Sequence, residues 1–413
     1  MDVKLSVEQN DAINSIAKDE GFEDFFTTTR PGSSKGENYM GTITNVSVKK
    51  GDKKLDLLMK SSLKSVKLRK AIPIRKAYLR EIHLYQTVFS AFENFLKEEG
   101  CLDPFTGHPK IYGSCTKDLE EFVILEDLKE AGYDLWNRKV PMNWDHISLV
   151  LKEYGKFHAT SLAMKEKNPE LYEKLTKGLT NFRSTTNEEA DENTKKKKIE
   201  DEERNLKTLI CGAIEAVKGN RAALDCLERF SSTVGKFFNE DINAPEDQLV
   251  LLHGDCWCNN FLFKYEDPQI KHPSKVSLID WQISSIGSPA RDLAYFLFTN
   301  APKEILSDYK ESLITYHDAA SETLRSVGCD PETVYPFELL ELQWRKYTKF
   351  GLRMAIKLLK VMVSESHEVP DVTEVFESGK NLTDELLYKS VNNDEYKRRL
   401  LDVVTVCVEN DWF

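Results

Sequence analysis

The chain has 413 residues and a formal net charge of −11 at pH 7. An acidic balance of this size argues against non-specific binding to nucleic acid and against attraction to an anionic membrane. Hydrophobic residues make up 40% of the chain, which is enough for a globular protein, and the length fits two domains or two lobes of one enzyme.

The N-terminal stretch MDVKLSVEQNDAINSIAKDEGF carries acidic residues where a signal peptide requires a basic region and an apolar run. No apolar run approaches the length that a transmembrane helix needs. The eight cysteines are mostly scattered, and we interpret them as reduced thiols. We therefore expect a cytoplasmic protein that does not insert into membranes.

The first third of the sequence predicts a short helix, two strands, a longer helix and two more strands. Ser6 and Gln9 have the spacing of a capping box, so a helix is expected to begin near residue 6. MGTITNVSV, the turn KKGDKK and LDLLMKSS predict a β-hairpin. The near-3.6 spacing of apolar residues in PIRKAYLREIHLYQTVFSAFENFLKEE predicts the longer helix. IYGSCTKDLEEFVILEDL predicts the last two strands, the second ending at Glu126–Asp127.

Beyond Leu128 the pattern is largely helical. Two sets of apolar residues each share one face of a predicted helix, namely Val150, Tyr154, Phe157, His158 and Leu162, and then Leu340, Trp344, Tyr347, Gly351 and Met354. The charged segment 184–205 has no apolar face, which predicts a solvated loop or the start of a helix.

The stretch LHGDCWCNNFLF contains Asp255 and, five residues later, Asn260. Twenty residues further on, Asp280 follows the strand-like VSLI. Two acids and an amide in this order are the groups that phosphoryl transfer requires. One carboxylate, Asp255, is expected to orient the acceptor hydroxyl and take its proton. Asn260 and Asp280 are expected to hold Mg²⁺ against the triphosphate of ATP.

Two other interpretations of this stretch exist. A lone Asp or Asn is usually a turn or cap residue, but here three polar groups have a spacing typical of kinase loops. His253, Cys256 and Cys258 are possible zinc ligands, although structural zinc ordinarily takes a second ligand pair, and none follows. We therefore favour the kinase interpretation and expect both cysteines to be packing residues on alternate sides of the loop.

The segments HGDCWCNNFLF, LIDWQ and SPARDLAYFLF resemble the ecdysteroid-kinase-like (CHK kinase-like) family of insects, which is related to choline kinases and aminoglycoside phosphotransferases. The resemblance implies an α+β, bilobal protein-kinase-like fold. A small antiparallel-sheet N-lobe with one main helix is expected over residues 1–128, including the N-terminal helix and the nucleotide-binding site. A larger, mostly helical C-lobe is expected over residues 129–413, with the catalytic loop and the metal and acceptor sites.

The resemblance also implies a phosphate-binding lysine and its partner. Lys60 ends the strand LDLLMK and is expected to contact the α- and β-phosphates of ATP. Glu81 lies twenty-one residues later on the next helix, where it is expected to form the ion pair that directs Lys60. Lys64 and Lys67 are the alternatives if the strand ends elsewhere.

Further roles are implied for the hinge and for the support of the catalytic loop. EFVILEDL is expected to lead into the interlobe hinge, where the main chain at Glu126 and Leu128 binds adenine. Asp292 of SPARDLAYF is expected to accept backbone N–H bonds from the catalytic loop, the alternative being a simple acid at a helix N-terminus. His253 and His158 are interpreted as structural histidines that support the loop.

Three departures from protein kinases stand out. The phosphate loop GSSKGENYMG is no GxGxxG motif, although Gly36 leaves room for backbone N–H groups to approach phosphate. Gly254 replaces the arginine that docks a phosphorylated activation loop, and Asp280 is followed by Trp-Gln. All three favour a constitutively competent small-molecule kinase over a regulated protein kinase.

The function implied is transfer of the γ-phosphate of ATP, with Mg²⁺, to a hydroxyl of a small lipophilic molecule such as an ecdysteroid-like steroid. The alternatives are a choline-, ethanolamine- or xenobiotic-directed kinase and a non-catalytic, hormone-binding pseudokinase. A cationic acceptor requires an aromatic cage, whereas a steroid requires a large apolar pocket. Trp136, Trp281, Tyr295 and Trp344 are candidates for either, or for the core.

Overall fold

The computed structural model describes residues 3–32, 40–179, 192–242, 248–266 and 272–413. In these residues the chain forms a smaller lobe around a five-stranded antiparallel sheet and a larger lobe that is mostly helical. The predicted α+β, bilobal architecture is confirmed. The division between residues 128 and 129 stays a prediction.

The smaller lobe contains one sheet and four helices among the described residues. Its elements in chain order are α1 Val7–Asp19, β1 Phe26–Pro31, β2 Gly41–Lys50, β3 Lys53–Ser62, α2 Val66–Ala71, α3 Ile74–His83, a π-helical turn Leu84–Val88, α4 Phe89–Glu98, β4 Ile111–Cys115 and β5 Phe122–Glu126. The strands pair in the order β1-β2-β3-β5-β4.

The local signals in this lobe act as predicted, with two exceptions. Ser6 and Gln9 form the capping box that begins α1, and β2 and β3 form the hairpin. The first exception is β1, which pairs with β2 at the edge of the sheet and was not predicted because its side chains are mostly exposed. The second is the π-helical turn, which connects α3 to α4 within the predicted longer helix.

One face of the sheet is covered by α1. The apolar side chains of this face, of α1 and of the residue Phe22 that follows it form a small core, namely Ile13, Ile16, Phe22, Val46, Val48, Leu57, Met59, Phe122 and Ile124. Because side chains alternate along a strand, the other face of β3 is free to direct Lys60 towards α3.

The larger lobe follows β5. Its elements are β6 Tyr133–Leu135, α5 Trp144–Lys167, α6 Pro169–Thr176, α7 Glu192–Val217, α8 Arg221–Ile242, β7 Val250–Leu252, a 3₁₀ turn Cys258–Asn260, β8 Phe261–Lys264, β9 Lys275–Leu278, a 3₁₀ turn Trp281–Ile283, β10 Ser285–Gly287, α9 Pro289–Asn300, α10 Lys303–Ser307, α11 Tyr309–Ser326, α12 Pro331–Val334, α13 Phe337–Val363, α14 Val372–Ser378, α15 Leu382–Glu385 and α16 Asn393–Glu409.

Both predicted helix faces are buried in this lobe, on α5 and on α13. α13 packs closely against α9 at Gly351, where a Cβ atom would lie 2.7 Å from the Phe298 ring and 2.9 Å from the carbonyl oxygen of Ala294. This close approach requires glycine, and it fixes α9, the helix that supports the candidate site.

Of the charged segment 184–205, residues 192–205 form the first turns of α7, and residues 184–191 lie outside the described residues. All eight cysteines are free thiols. Throughout the described residues, no helix combines the length and the apolar character needed to cross a bilayer.

A buried carboxylate links β3, α2 and the turn before β5. The Glu121 side chain is inaccessible to solvent, accepts a hydrogen bond from Ser62 Oγ at 2.7 Å and pairs with Arg69 and with Arg75, the latter at 3.1 Å. Burial alone raises the pKa of Glu121, but the hydrogen bonds from Arg69 and Ser62 lower it more, to about 2. Glu121 is therefore ionised in the folded lobe.

We expect Glu121→Gln to lower the free energy of unfolding by about 2 kcal/mol at pH 7, because two guanidinium groups lose their anionic partner. The folded pKa lies below the unfolded one, so this stabilisation is complete above about pH 4.5 and declines as the pH falls towards 2. Urea unfolding at pH 7 and pH 3 measures it. An equal difference between the two proteins at both pH values would contradict the electrostatic explanation.

The control is Glu99→Gln, which removes a carboxylate from a surface ion pair with Lys167. Exposed pairs of this kind contribute about 0–1 kcal/mol.

Candidate active site

The pairing of β8 with β9 brings two predicted metal ligands side by side. Phe261 is opposite Leu278 in this ladder, and the N–H of Ile279 donates to the carbonyl oxygen of Asn260 at 3.0 Å. Asp280 is the next residue after Ile279. The ladder therefore positions Asn260, at the end of one loop, next to Asp280, at the start of another.

The backbone of Asp280 is in the left-handed region, with φ 64° and ψ 65°. This conformation is uncommon for a residue other than glycine and costs about 1–3 kcal/mol, so it persists only where the surroundings impose it. Its side chain is 32% exposed and contacts Lys60 of the smaller lobe. The strained backbone thus directs a partly exposed carboxylate into the space between the lobes.

Lys60 lies between two carboxylates. Its Nζ atom is 2.7 Å from Asp280 Oδ1 and 3.1 Å from Glu81 Oε2. Burial lowers the pKa of Lys60, but the charges of Asp280 and Glu81 raise it more, so the ammonium is retained. Burial raises the pKa of Glu81, and Lys60 opposes that shift. Of the alternatives, Lys67 instead donates to the carbonyl oxygen of Glu377, outside this cluster.

Asp255 is held at both carboxylate oxygens. Oδ1 accepts a hydrogen bond from the Tyr295 hydroxyl at 2.8 Å, and Oδ2 accepts one from Asn260 Nδ2 at 2.9 Å. Burial, followed by the charge of Asp280, raises the pKa of Asp255, whereas the bond from Tyr295 lowers it. The net shift is upward, towards the range in which a carboxylate is a better proton acceptor.

The donor set fits Mg²⁺. Asn260 uses its amide nitrogen for Asp255, so its carbonyl oxygen faces the other side of the planar amide. Asp280 adds a partly exposed carboxylate next to it. Mg²⁺ is usually bound by one or two such oxygens together with phosphate and water. The assignment of Asn260 and Asp280 as metal ligands stays a prediction.

Asp292 holds the turn that precedes Asp255. Its side chain is 1% exposed, and it accepts backbone N–H bonds from His253 at 2.7 Å and from Gly254 at 3.1 Å. His158 Nε2 lies 3.4 Å from the same carboxylate, and burial raises the pKa of Asp292 whereas the contact with His158 and the N–H of His253 lower it more. The expected contact with the loop is present. Its importance for activity stays a prediction.

Replacing Asp292 by asparagine tests whether its hydrogen bonds to the loop matter for activity. An asparagine has only one acceptor oxygen, so one loop N–H would face an NH₂ group. We expect the free energy of unfolding to fall by about 2 kcal/mol and kcat to fall by about tenfold or more as the loop loosens. The control is Asp308→Asn, the same change at a helix N-terminus without a side-chain cap bond. Equal effects of the two changes would contradict the loop-holding role.

His253 connects the two loops of the site and is not free to bind zinc. Its Nε2 atom lies 2.9 Å from the carbonyl oxygen of Ile279, and its Nδ1 atom accepts the N–H of Asp255 at 3.2 Å. Cys256 and Cys258 are buried. In the described part of the chain, no three His, Cys, Asp or Glu side chains are arranged to hold a metal ion. The zinc interpretation therefore lacks a ligand set.

Glycine is required at position 254. Its φ is +87°, and a Cβ atom there would lie 2.8 Å from the carbonyl oxygen of Ile283. The residue that replaces the kinase arginine thus allows the loop containing Asp255 to pack directly on the segment after Asp280.

Two further predictions concern the hinge and the phosphate loop. Glu126 ends β5, where its N–H donates to the carbonyl oxygen of Lys110, and Leu128 follows it as a buried residue. Their contact with adenine stays a prediction. Gly36 lies outside the described residues.

Sequence reasoning missed two residues that complete the site. The sequence favours Tyr295 as part of an aromatic cage or of the core, whereas its hydroxyl contacts Asp255. Arg80 is 4% exposed and donates to the carbonyl oxygen of Ser284, which fixes α3 to the segment after Asp280. Neither contact has a local sequence signal, because the partners are 40 and 204 positions apart.

Residues 35–329 match the model of the ecdysteroid kinase-like family. The chain is similar to a structure of the GDP complex of wild-type aminoglycoside 2′-phosphotransferase-IIIa, with 14% identity over 91% of this chain and 100% of that chain and a TM-score of 0.38. It is also similar to glucosamine kinase in crystal form B, with 10% identity over 95% of this chain and 83% of that chain and a TM-score of 0.34. No curated protein matches the chain.

Proposed function

The chain belongs to the ecdysteroid kinase-like family, and from that premise we propose that it is an ATP- and Mg²⁺-dependent kinase of a small hydroxyl-bearing molecule. The observation that carries this proposal is the meeting of Lys60 from the smaller lobe with Asp280 from the larger one, 220 positions apart, at 2.7 Å. A buried lysine between two carboxylates is the arrangement that phosphoryl transfer uses to bind a nucleotide.

Each residue has a distinct role in this proposal. Lys60, directed by Glu81, contacts the phosphates of the nucleotide. Asp255 accepts a hydrogen bond from the acceptor hydroxyl and takes its proton as the oxygen attacks the γ-phosphorus, the bond from that phosphorus to the β,γ-bridging oxygen breaks and ADP leaves. Asn260 and Asp280 are the residues that hold Mg²⁺, which when bound neutralises charge on the phosphate oxygens. The rigid contacts of Asp255 favour catalysis by positioning.

For the acceptor we propose an ecdysteroid-like steroid, supported by the description of the family. Three of the four aromatic residues considered for a choline cage give little support to a cationic acceptor, whereas Trp136 is only half-buried. Trp281 and Trp344 are fully buried, and Tyr295 is 2% exposed with its hydroxyl on Asp255. The adenine contacts are proposed for the main chain at Glu126 and Leu128.

Incubation of the purified protein with Mg²⁺ and γ-labelled ATP tests the proposal against hydroxylated steroids, choline, ethanolamine and xenobiotic alcohols. We expect label on a steroid hydroxyl. Label on choline alone would overturn the steroid assignment and retain the kinase. Nucleotide binding without transfer to any acceptor would favour a hormone-binding pseudokinase, and failure to bind ATP at all would overturn the enzyme.

A further inference from the structure

Helix α9 contacts every residue of the turn from His253 to Cys256. Asp292 accepts the N–H groups of His253 and Gly254. One turn further along the helix, Tyr295 donates to the side chain of Asp255. At the end of the helix, Asn300 Nδ2 donates to the carbonyl oxygen of Cys256 at 2.9 Å.

We propose that Tyr295 is a positioning residue that fixes the rotation of the Asp255 carboxylate in the proposed phosphoryl transfer. The torsion that rotates an aspartate carboxylate is soft and broad, so burial of the backbone alone does not set it. Here Tyr295 holds Oδ1 at 2.8 Å and Asn260 holds Oδ2 at 2.9 Å. With both oxygens bonded, the remaining lone pairs point in fixed directions, and one of them is left for the acceptor hydroxyl.

The hydroxyl of Tyr295 is itself held in place. The side chain is 2% exposed, and its ring packs edge-on against Phe350 of α13 with centroids 6.2 Å apart. The guanidinium of Arg291 lies 4.5 Å above the same Phe350 ring. A rigid aromatic ring presents its hydroxyl with little loss of conformational entropy, which suits a residue that orients another.

The test is a double-mutant cycle between Tyr295→Phe and Asp255→Ala, read by transfer of labelled phosphate. In the otherwise unchanged protein, Tyr295→Phe is expected to lower kcat by about 10- to 100-fold, the effect of one hydrogen bond to a charged group. The nucleotide Kd and the acceptor KM are expected to stay at their original values. In the Asp255→Ala background, Tyr295→Phe is expected to cause no further loss.

Tyr335→Phe is the matched control, because it also removes a buried tyrosine hydroxyl, one that donates to Gln343 at 2.6 Å. It is expected to leave kcat unchanged. An unchanged kcat for Tyr295→Phe, or an equal fold loss with and without Asp255, would overturn the positioning role. Neither result would affect the proposed kinase, which is tested by transfer from the unaltered protein.

A second feature joins the two lobes. We call residues 364–392 the arm, which contains α14 and α15 and lies beyond the family match that ends at residue 329. The arm leaves and returns to the larger lobe at one place. There the Tyr388 hydroxyl donates to Ser364 Oγ at 2.8 Å, and Asn392 Nδ2 donates to the carbonyl oxygen of Val363 at 2.8 Å.

The tip of the arm packs on the smaller lobe. Val372 is buried in a cluster with Leu68, Ile74 and Tyr78, and Phe376 packs against that cluster. Lys67 Nζ donates to the carbonyl oxygen of Glu377 at 3.1 Å. The arm therefore makes apolar contacts with α2 and α3 and a polar contact with α2.

The arm and the predicted hinge lie at opposite ends of β3. Leu57 pairs with Glu126 at the hinge end, whereas Ser62 leads into α2, which the arm contacts. The five residue-to-residue steps from Leu57 to Ser62 span about 17 Å. We infer that the arm is a clasp that holds the cleft closed on the side away from the hinge and has to release α2 for nucleotide exchange, a form of gating common in enzymes that enclose their substrates.

A cleavable cross-link tests the clasp. Cysteines introduced as Lys67→Cys and Glu377→Cys, in a Cys211→Ser background that removes an exposed native thiol, are linked by a disulfide-containing bismaleimide. We expect release of a fluorescent ADP analogue to slow by about tenfold or more in the linked protein. Release is expected to recover when reductant cuts the linker.

Each protein with only one of the two introduced cysteines, in the same Cys211→Ser background and treated with the same reagent, is the control and is expected to release the analogue at the unlinked rate. Unaltered release from the linked protein would overturn the clasp. Because this experiment needs no acceptor, its failure is separate from a failure of the proposed phosphoryl transfer.

Discussion

Replacing Asp255 by alanine is expected to reduce phosphoryl transfer by about 10²–10⁴-fold, the usual contribution of a general base. The nucleotide Kd is expected to be retained, because Lys60, Glu81 and Asp280 keep their mutual contacts. The measurement is single-turnover transfer of labelled phosphate, together with calorimetric titration of ATP in the presence of Mg²⁺.

Asp255→Asn separates the base from the geometry. Asparagine keeps the size of the side chain and one acceptor for the Tyr295 hydroxyl, but it cannot take a proton at neutral pH. We expect it to be nearly as inactive as alanine. Substantial activity of the Asp255→Asn protein would contradict proton transfer to Asp255 and would leave this residue only a role in orienting the acceptor.

Replacing Lys60 by methionine is expected to have the second large effect, a loss of both nucleotide affinity and transfer. The change removes the cation between Glu81, whose side chain is 1% exposed, and Asp280. A buried carboxylate without its partner is strongly disfavoured, so Glu81 is expected to take up a proton at neutral pH. We expect the ATP Kd to rise by about tenfold or more, the effect of losing a close charged contact. Calorimetry and the transfer assay measure the two losses.

The control is Lys64→Met, a change at an exposed lysine that is the alternative if β3 ended elsewhere. It is expected to leave the affinity and the rate unaltered. If Lys64→Met reduced ATP binding as much as Lys60→Met, the assignment of the phosphate-binding lysine would be wrong.

The sequence predicted the elements whose pattern is local. The capping box at Ser6, the hairpin of β2 and β3 and the buried faces of α5 and α13 all follow from spacing within a few residues. β1 escaped prediction because FTTTRP at a sheet edge has no alternation of buried and exposed side chains. The π-helical turn at Leu84–Val88 changes the backbone without changing the apolar pattern, so the pattern does not predict it either.

In the candidate site, too, local sequence signals predict some residues, whereas contacts between distant residues have no such signal. Asp255, Asn260 and Asp280 were recognisable because their chemistry and spacing are joint signals in one stretch of sequence. The bond from Tyr295 to Asp255 and the bond from Arg80 to Ser284 arise only when α9 and α3 pack against the loops. The arm is a third case, since a contact between Val372 and Tyr78 depends on how residues 364–392 cross from one lobe to the other. Such contacts depend on tertiary packing, which periodicity does not encode.

The most direct measurement of the central claim is a crystal structure of the protein with Mg²⁺ and a non-hydrolysable ATP analogue. The account predicts a metal ion bound by the side-chain oxygens of Asn260 and Asp280, with Lys60 on the nucleotide phosphates and Asp255 facing the γ-phosphate. A nucleotide bound away from these four residues, or a metal ion bound without Asp280, would contradict it.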